Sequence, residues 1–192
     1  GGSPQVTSNT ISAIVNGGLY GDTDIFTSAS ITGAIILDEQ AGTRIWNNKM
    51  YDFSGTVNNT GISMVGIAVS YATGLDIANN LVHSFSTVYA GNLAGIYVDN
   101  SGSLTSGLRL NIYNNMISLG NDSPMVARAY KIQGITAPLN NTTISNNSVN
   151  ITGNGPFDRT TTALYVTGVA SPPNRVVNNI FQNNRVRNSS VS

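Results

Sequence analysis

Apolar and polar positions along the chain follow a pattern that recurs five times. Each copy places an Asn pair inside a short apolar stretch: RIWNNKMYDF, DIANNLVHSF, NIYNNMISLG, TISNNSVNIT and RVVNNIFQNN. The pairs are 32, 35, 32 and 32 residues apart. Two columns are apolar in every copy, namely Ile45, Ile77, Ile112, Ile144 and Val176 before the pair, and Met50, Val82, Ile117, Val149 and Phe181 after it. A fixed period of this length predicts a repeat protein.

A second apolar segment precedes each Asn pair. It reads AIIL, GIAV, GIYV, GITA and ALYV, beginning at Ala34, Gly66, Gly95, Gly134 and Ala163. Its alternation with period two predicts a strand of only a few residues. One side of the strand carries two apolar columns, Ile35, Ile67, Ile96, Ile135 and Leu164, and then Leu37, Val69, Val98, Ala137 and Val166. The opposite side carries the column Ile36, Ala68, Tyr97, Thr136 and Tyr165. We expect the first side to face the core.

These units predict an all-β parallel β-helix, or β-solenoid, of about six coils. A unit of this size cannot bury its apolar face alone, so successive units must stack strand upon strand, about 4.8 Å apart. Stacking aligns identical Asn residues into a ladder whose amides hydrogen-bond between coils. The predicted ladder residues are Asn47, Asn48, Asn79, Asn80, Asn114, Asn115, Asn146, Asn147, Asn178 and Asn179.

The repeat also predicts the domain organisation. Residues 1–192 form one β-helix domain, with a degenerate first coil over 1–30, repeat coils over 31–184 and a polar tail over 185–192. Within the first coil, the stretch VTSNTISAI from Val6 to Ile14 places Asn9 in the ladder column. Because the tail lacks an amphipathic capping helix, we expect the chain to be an excerpt of a longer protein with flanking domains.

Composition agrees with a strand-rich fold and excludes several classes of function. Asn is the commonest residue at 26 positions, followed by Ser, Gly and Thr at 21, 20 and 19, a mixture that disfavours helices. Nine basic and nine acidic residues give zero net charge, which argues against nucleic acid as a partner. No apolar run is long enough for membrane insertion. The chain has no cysteine, and we expect no cofactor and no bound metal.

The repeat carries a family resemblance. The I-x-N-N-x-I pattern with its preceding G-I-x-V strand resembles the right-handed parallel β-helix repeat of pectate-lyase-like proteins, over about Ile31 to Asn184. Stretches such as IYNNMISLG, ISNNSVNITG and VVNNIFQNNRVRNSS are similar to the Asn/Ser/Thr-rich repeat regions of secreted Bacteroidetes-type surface proteins. The resemblance implies an extracellular or cell-surface location in a bacterium.

Candidate catalytic residues are sparse. Enzymes of the resembled family place acids on the outer face of one sheet, and Asp38 and Asp99 follow corresponding strands here. Ser70 occupies the coil between them, so we expect a separation of about 9.6 Å, the upper limit for an inverting carboxylate pair. The other seven acids share no repeat column, which favours structural or turn roles. His83, the only histidine, falls in a column with Tyr51 and Ser118 that we expect to face solvent.

Aromatic residues are the stronger candidates for binding. Trp46 and Tyr113 occupy the column just before the Asn pairs, with Ala78 between them, while Tyr97 and Tyr165 lie in the outward column of the preceding strand. Flat rings on a solenoid face stack on sugars or anchor a partner protein. The alternative is that loops fold over these rings and bury them. Threonine does not recur in one column, which disfavours an ice-binding surface.

Together these features predict a structural or adhesin-like segment of a large secreted or cell-surface bacterial protein, whose partners are polysaccharides or neighbouring surface proteins. The alternative is a carbohydrate-active enzyme, a polysaccharide lyase or glycoside hydrolase of the pectate-lyase-like class. Sparse and scattered charge favours the structural hypothesis, because a groove for an acidic polysaccharide concentrates Lys, Arg and Asp.

Overall fold

The computed structural model describes residues 5–7, 10–12, 15–16, 31–38, 42–55, 63–70, 74–87, 92–99, 109–120, 131–155, 161–171 and 173–187. Twenty β-strands lie within these ranges. None of the described residues belongs to a helix long and apolar enough to cross a membrane. The three large sheets are parallel throughout, and each strand pairs with its equivalent one repeat away.

The first sheet contains the strands that lead into the Asn pairs. Its order is β1 (Gln5–Thr7), β5 (Arg44–Trp46), β8 (Leu75–Ala78), β11 (Leu110–Tyr113), β14 (Thr142–Ser145) and β18 (Arg175–Val177). Its inward column is Ile45, Ile77, Ile112 and Ile144, all fully buried, as the apolar pattern predicted. Val176, the fifth member of that column, is 44% exposed because β18 is the edge strand of the sheet.

The second sheet contains the strands that follow the Asn pairs. Its order is β2 (Thr10–Ser12), β6 (Lys49–Gly55), β9 (Leu81–Thr87), β12 (Met116–Leu119), β15 (Ser148–Ile151) and β19 (Ile180–Asn183), and β3 (Val15–Asn16) pairs with β6 beside this path. Met50, Val82, Ile117 and Val149 form its buried column. A two-stranded sheet of β16 (Asn154–Gly155) and β20 (Val186–Arg187) lies apart from the large sheets.

The third sheet contains the strands that open each repeat. Its order is β4 (Ile31–Asp38), β7 (Ser63–Ser70), β10 (Asn92–Asp99), β13 (Lys131–Asn140) and β17 (Thr161–Ser171). The predicted columns pair in register, and Ile35, Ile67, Ile96 and Ile135 are in the core. Val166 was expected to face the core but is 38% exposed in the edge strand β17. The predicted strand length was wrong, because these strands run over 8 to 11 residues.

A column of glycines explains the underestimate. Gly66, Gly95 and Gly134 lie within the third-sheet strands and interrupt the period-two alternation, so the pattern identifies only the second half of each strand. A Cβ at Gly66 would lie 2.7 Å from Val82 Cγ1, and one at Gly95 would lie 2.5 Å from Ile117 Cγ2. The column therefore marks the place where the third sheet approaches the second too closely for a side chain.

The three sheets form the all-β parallel β-helix that the repeat predicted. Five coils contribute one strand to each large sheet, and β1 and β2 form part of a sixth coil at the start of the chain. Val6 pairs with Ile45 and Ile11 with Met50, so the described part of the first coil follows the repeat register. Asn9 lies outside the described residues.

Candidate binding groove

The Asn ladder sets the corner between the first and second sheets. It is built from the second Asn of each pair, Asn48, Asn80, Asn115, Asn147 and Asn179. In each step the backbone N–H and the Nδ2 group of one Asn donate to the Oδ1 of the next, over 2.9 to 3.1 Å. Nδ2 also donates to a backbone carbonyl, as from Asn115 to Ile77 O at 2.9 Å. The ladder thus satisfies amides that are buried in four of its five members.

The first Asn of each pair has a different role. Asn47, Asn79, Asn114, Asn146 and Asn178 are exposed and have φ between 53° and 58°, in the left-handed region. Asn tolerates this conformation better than most residues. The ten predicted ladder positions therefore divide into five that join the coils and five that turn the chain.

The outer face of the first sheet carries the side chains that flank its buried isoleucines. Arg44 pairs in register with Asp76, which pairs with Asn111. Two residues further along, Trp46 pairs with Ala78, which pairs with Tyr113. Because the sheet is parallel and in register, one row is polar and the other is aromatic with a small residue at its centre. The two rows run side by side across three coils.

A groove of about 250 Å³ lies on this face, lined by Arg44, Trp46, Asp76, Ala78 and Tyr113. Trp46 and Tyr113 are two rungs apart, about 9.6 Å along the stack. Ala78 between them is only 1% exposed. The groove is smaller than the roughly 300–1,000 Å³ typical of sites for drug-sized ligands, so its size suits a single ring of a ligand.

Asp76 is the centre of the polar row. It accepts a hydrogen bond from Asn111 Nδ2 at 2.6 Å, and it lies 3.7 Å from Arg44 Nε and 3.8 Å from Arg109 Nη2. The arginine side chains are 53% and 67% exposed, against 23% for Asp76. Arg44 also places its guanidinium carbon 5.9 Å from the centroid of the Trp46 ring. The carboxylate is therefore largely occupied, while the arginines keep N–H groups available to a ligand.

Trp46 contributes one further feature. Its Nε1 atom is buried and has no hydrogen-bond partner in the part of the chain that the structure describes. A buried indole N–H normally finds an acceptor. The aromatic wall of the groove therefore contains a donor that needs an acceptor.

Sequence reasoning identified the aromatic row of this groove but not the polar row. The column of Trp46 and Tyr113 was predicted, and the structure brings it to the surface of one sheet. The sequence placed Asp76 in no acidic cluster, because no other acid shares its repeat column. The missed signal is that Arg44, Asp76 and Asn111 each stand three residues before an Asn pair, which places residues of complementary charge and polarity in one column.

The other two predicted aromatic residues lie on a different sheet. Tyr97 and Tyr165 are both in register with Thr136, on the outer side of the third sheet. Tyr165 is 41% exposed. Burial raises the pKa of the Tyr97 hydroxyl, with smaller contributions from the charges of Asp99 and Tyr165. These tyrosines are therefore separate from the groove of Trp46 and Tyr113.

The acids predicted for catalysis do not meet at one rung. Asp38 and Asp99 each pair in register with Ser70, so two strand spacings separate their backbones, as the sequence predicted. In the described residues there is no group of three His, Cys, Asp or Glu side chains that could hold a metal ion.

His83 lies in the predicted column with Tyr51 and Ser118, on the outer side of the second sheet. It is half-buried because its ring stacks on Tyr51, with centroids 5.1 Å apart and planes inclined by 3°. Nδ1 lies 2.9 Å from the Oγ of Ser84. These contacts pair the imidazole with a ring and a hydroxyl, an arrangement that supports the residue structurally without orienting it as a general base.

Comparison of the chain with protein-family models, with curated proteins and with solved structures finds no match.

Proposed function

We propose that this chain is a β-solenoid segment of a large secreted or cell-surface bacterial protein, and that it acts as a stiff, adhesin-like stalk that contacts glycans. The proposal includes a right-handed coil of the pectate-lyase-like type and flanking domains in the same polypeptide. Its support is the repeat pattern, which resembles that family and the Asn-rich regions of secreted surface proteins.

The observation that carries glycan contact is the groove between Trp46 and Tyr113. A sugar ring has an apolar C–H face that packs on an aromatic ring and a rim of hydroxyls that need hydrogen bonds. The groove offers both, because Arg44 and Asp76 line it together with the two rings. The buried Nε1 of Trp46 supplies a donor for a ring or hydroxyl oxygen.

Catalysis on a polysaccharide is the alternative function. It would use Asp38 and Asp99, which end the third-sheet strands β4 and β10 on either side of Ser70 at the end of β7. Their separation of about 9.6 Å by strand spacing lies at the upper limit for an inverting pair. Asp76 suits this role less well because two arginines and an amide already engage its carboxylate.

The deciding experiment incubates the protein with a panel of soluble and insoluble polysaccharides, with and without calcium. Depletion of protein and release of reducing or unsaturated ends are followed together. Glycan contact predicts depletion without product, and Trp46→Ala or Tyr113→Ala should weaken it. The matched control is Tyr51→Ala, which removes an outward aromatic ring from the second sheet and should leave depletion unchanged.

Circular dichroism of each variant shows whether the solenoid is retained. Depletion in a folded Trp46→Ala variant that equals that of the unmodified protein would exclude the groove, and no depletion by any polysaccharide would reject glycan contact. Product release that is lost in Asp38→Asn or Asp99→Asn would instead establish the enzymatic alternative.

A further inference from the structure

The third sheet repeats the arrangement of the groove on a second face. Tyr97 and Tyr165 bracket Thr136 in register, as Trp46 and Tyr113 bracket Ala78. In both cases the two rings are two rungs apart, and the small residue between them is 1% exposed. Tyr165 is accessible at 41% exposure. Both faces thus carry an aromatic pair separated by one small, buried residue.

The face between these tyrosines contains buried polar atoms that lack partners. Thr136 Oγ1 and Gln133 Nε2 are buried without a hydrogen bond in the described part of the chain, and the residues are only 1% and 5% exposed. Thr162, which pairs in register with Gln133, has an Oγ1 in the same condition. Such groups are uncommon in folded proteins because an unmade hydrogen bond is costly. Three of them on two neighbouring strands point to a ligand that supplies the missing bonds.

The neighbouring charge restricts the chemistry of that ligand. Asp99 stands two residues after Tyr97 on β10, so both side chains leave the strand on the side opposite the buried Val98. Its charge adds to the effect of burial, which is the larger cause of the raised pKa of the Tyr97 hydroxyl. A negative potential at the tyrosine pair disfavours an anionic group there. Gln133 Nε2 requires an acceptor, whereas the two threonine hydroxyls either donate or accept. A neutral sugar meets these conditions, since each of its hydroxyls is both donor and acceptor.

We propose that the outer face of the third sheet around Tyr97, Thr136 and Tyr165 is a second sugar-binding site, specific for a neutral sugar residue. The proposal rests on the proposed function in that it assigns another glycan contact to the same solenoid. Tyr165 stacks on the sugar face, and Gln133 and Thr136 bind its hydroxyls. Two sites on adjacent faces would hold a polysaccharide more tightly than either site alone.

The test separates the two sites by their spectroscopy. Trp46 is the only tryptophan in the chain, so its fluorescence reports the first-sheet groove. Total binding is measured by titration calorimetry with xylohexaose, mannohexaose and cellohexaose, and uronic-acid oligomers of equal length serve as anionic probes. The key variant is Gln133→Leu, and Tyr165→Ala is the second variant.

Gln133→Leu should weaken the calorimetric binding of a neutral hexaose at this site by at least about tenfold, because it deletes a buried hydrogen bond to the ligand. The fluorescence response of Trp46 should be unchanged. The Tm of the Gln133→Leu variant should equal or exceed that of the unmodified protein, because the substitution removes an unpaired polar group from the free protein. Tyr165→Ala should weaken binding in the same way through loss of stacking. The control Tyr51→Ala should leave both signals unchanged.

Other results would overturn the proposal. A lower Tm for Gln133→Leu would show that its amide is paired within the protein, and unchanged calorimetry in both variants would show that no sugar binds there. Tighter binding of the uronic-acid oligomers at this site would exclude the neutral class. If Trp46 fluorescence responds to sugar but Gln133→Leu leaves the binding heat unchanged, only the second site is rejected. If Gln133→Leu reduces the binding heat but Trp46 fluorescence does not respond to sugar, only the first-sheet groove is rejected.

Discussion

The side-chain oxygen of Asn147 accepts two hydrogen bonds from Asn115, one from the backbone N–H and one from Nδ2, each 3.0 Å long. One atom therefore joins two coils through both the main chain and a side chain. The same pair of bonds recurs at each described step of the ladder. Every step of the ladder therefore has the same two hydrogen bonds, and the contribution of one step to stability is measurable.

Replacing Asn115 or Asn147 with Leu should lower the free energy of unfolding by about 1–3 kcal/mol each, since buried donors and acceptors in two neighbouring coils lose their partners. Urea unfolding followed by circular dichroism measures this loss. The matched control is Asn146→Gly, at an exposed position with φ of 56°, which should cost less than about 1 kcal/mol because Gly adopts that conformation freely. Unchanged stability in both Leu variants would contradict the ladder.

Gly134→Ala should destabilise the solenoid by about 1–3 kcal/mol through overpacking. The new methyl group would overlap the side chain of Val149 and lie 2.5 Å from the backbone oxygen of Ala163. The companion variant Ala163→Gly, at the equivalent position of the next coil, adds no atoms and should cost no more than about 1 kcal/mol. If both variants unfold at the same urea concentration as the unmodified protein, the close approach of the sheets is not as described.

Asp76→Asn should lower stability by no more than about 1 kcal/mol, because its arginine partners are more than half exposed and water screens the pairs. The loss should shrink when salt is raised, as expected for screened charges. Urea unfolding at low and high sodium chloride checks both statements. A larger loss that is independent of salt would contradict the screening of these ion pairs, because Asn at this position still accepts the hydrogen bond from Asn111.

Stability should fall above about pH 10, and Tyr97 should contribute to that fall. Burial raises the pKa of its hydroxyl above the ordinary value, so the folded state holds this proton more firmly than the unfolded chain does. The contribution is therefore fully present below about pH 10 and is lost as the pH rises through the folded-state value. Urea unfolding from pH 8 to 11.5 should show a shallower decline for Tyr97→Phe.

Spectrophotometric titration at alkaline pH supplies the independent check on Tyr97. The difference in absorbance change between the unmodified protein and the Tyr97→Phe variant isolates the ionisation of this one hydroxyl. A midpoint at or below the ordinary tyrosine value would show that the hydroxyl is not desolvated.

The sequence alone determined the number of coils, the inward columns and the position of the ladder, because stacking forces equivalent residues of successive repeats into contact. Ile45 and Ile77, 32 residues apart, meet for this reason. It also identified the aromatic columns, since Trp46 and Tyr113 occupy one repeat position. Both conclusions follow from the repeat alone, because a strict period brings equivalent residues of successive copies close together in space.

Only the tertiary structure decided the features that depend on distances between sheets and on side-chain geometry. The period places both Asn residues of each pair at the corner, but the backbone path turns one outward and the other into the stack. Gly95 is required because Ile117 comes from another sheet, and Asp76 gains Arg109 from outside its own column. These contacts depend on how three sheets enclose the core, which is decided by packing and the turns between strands, whereas the repeat specifies only which residues stack.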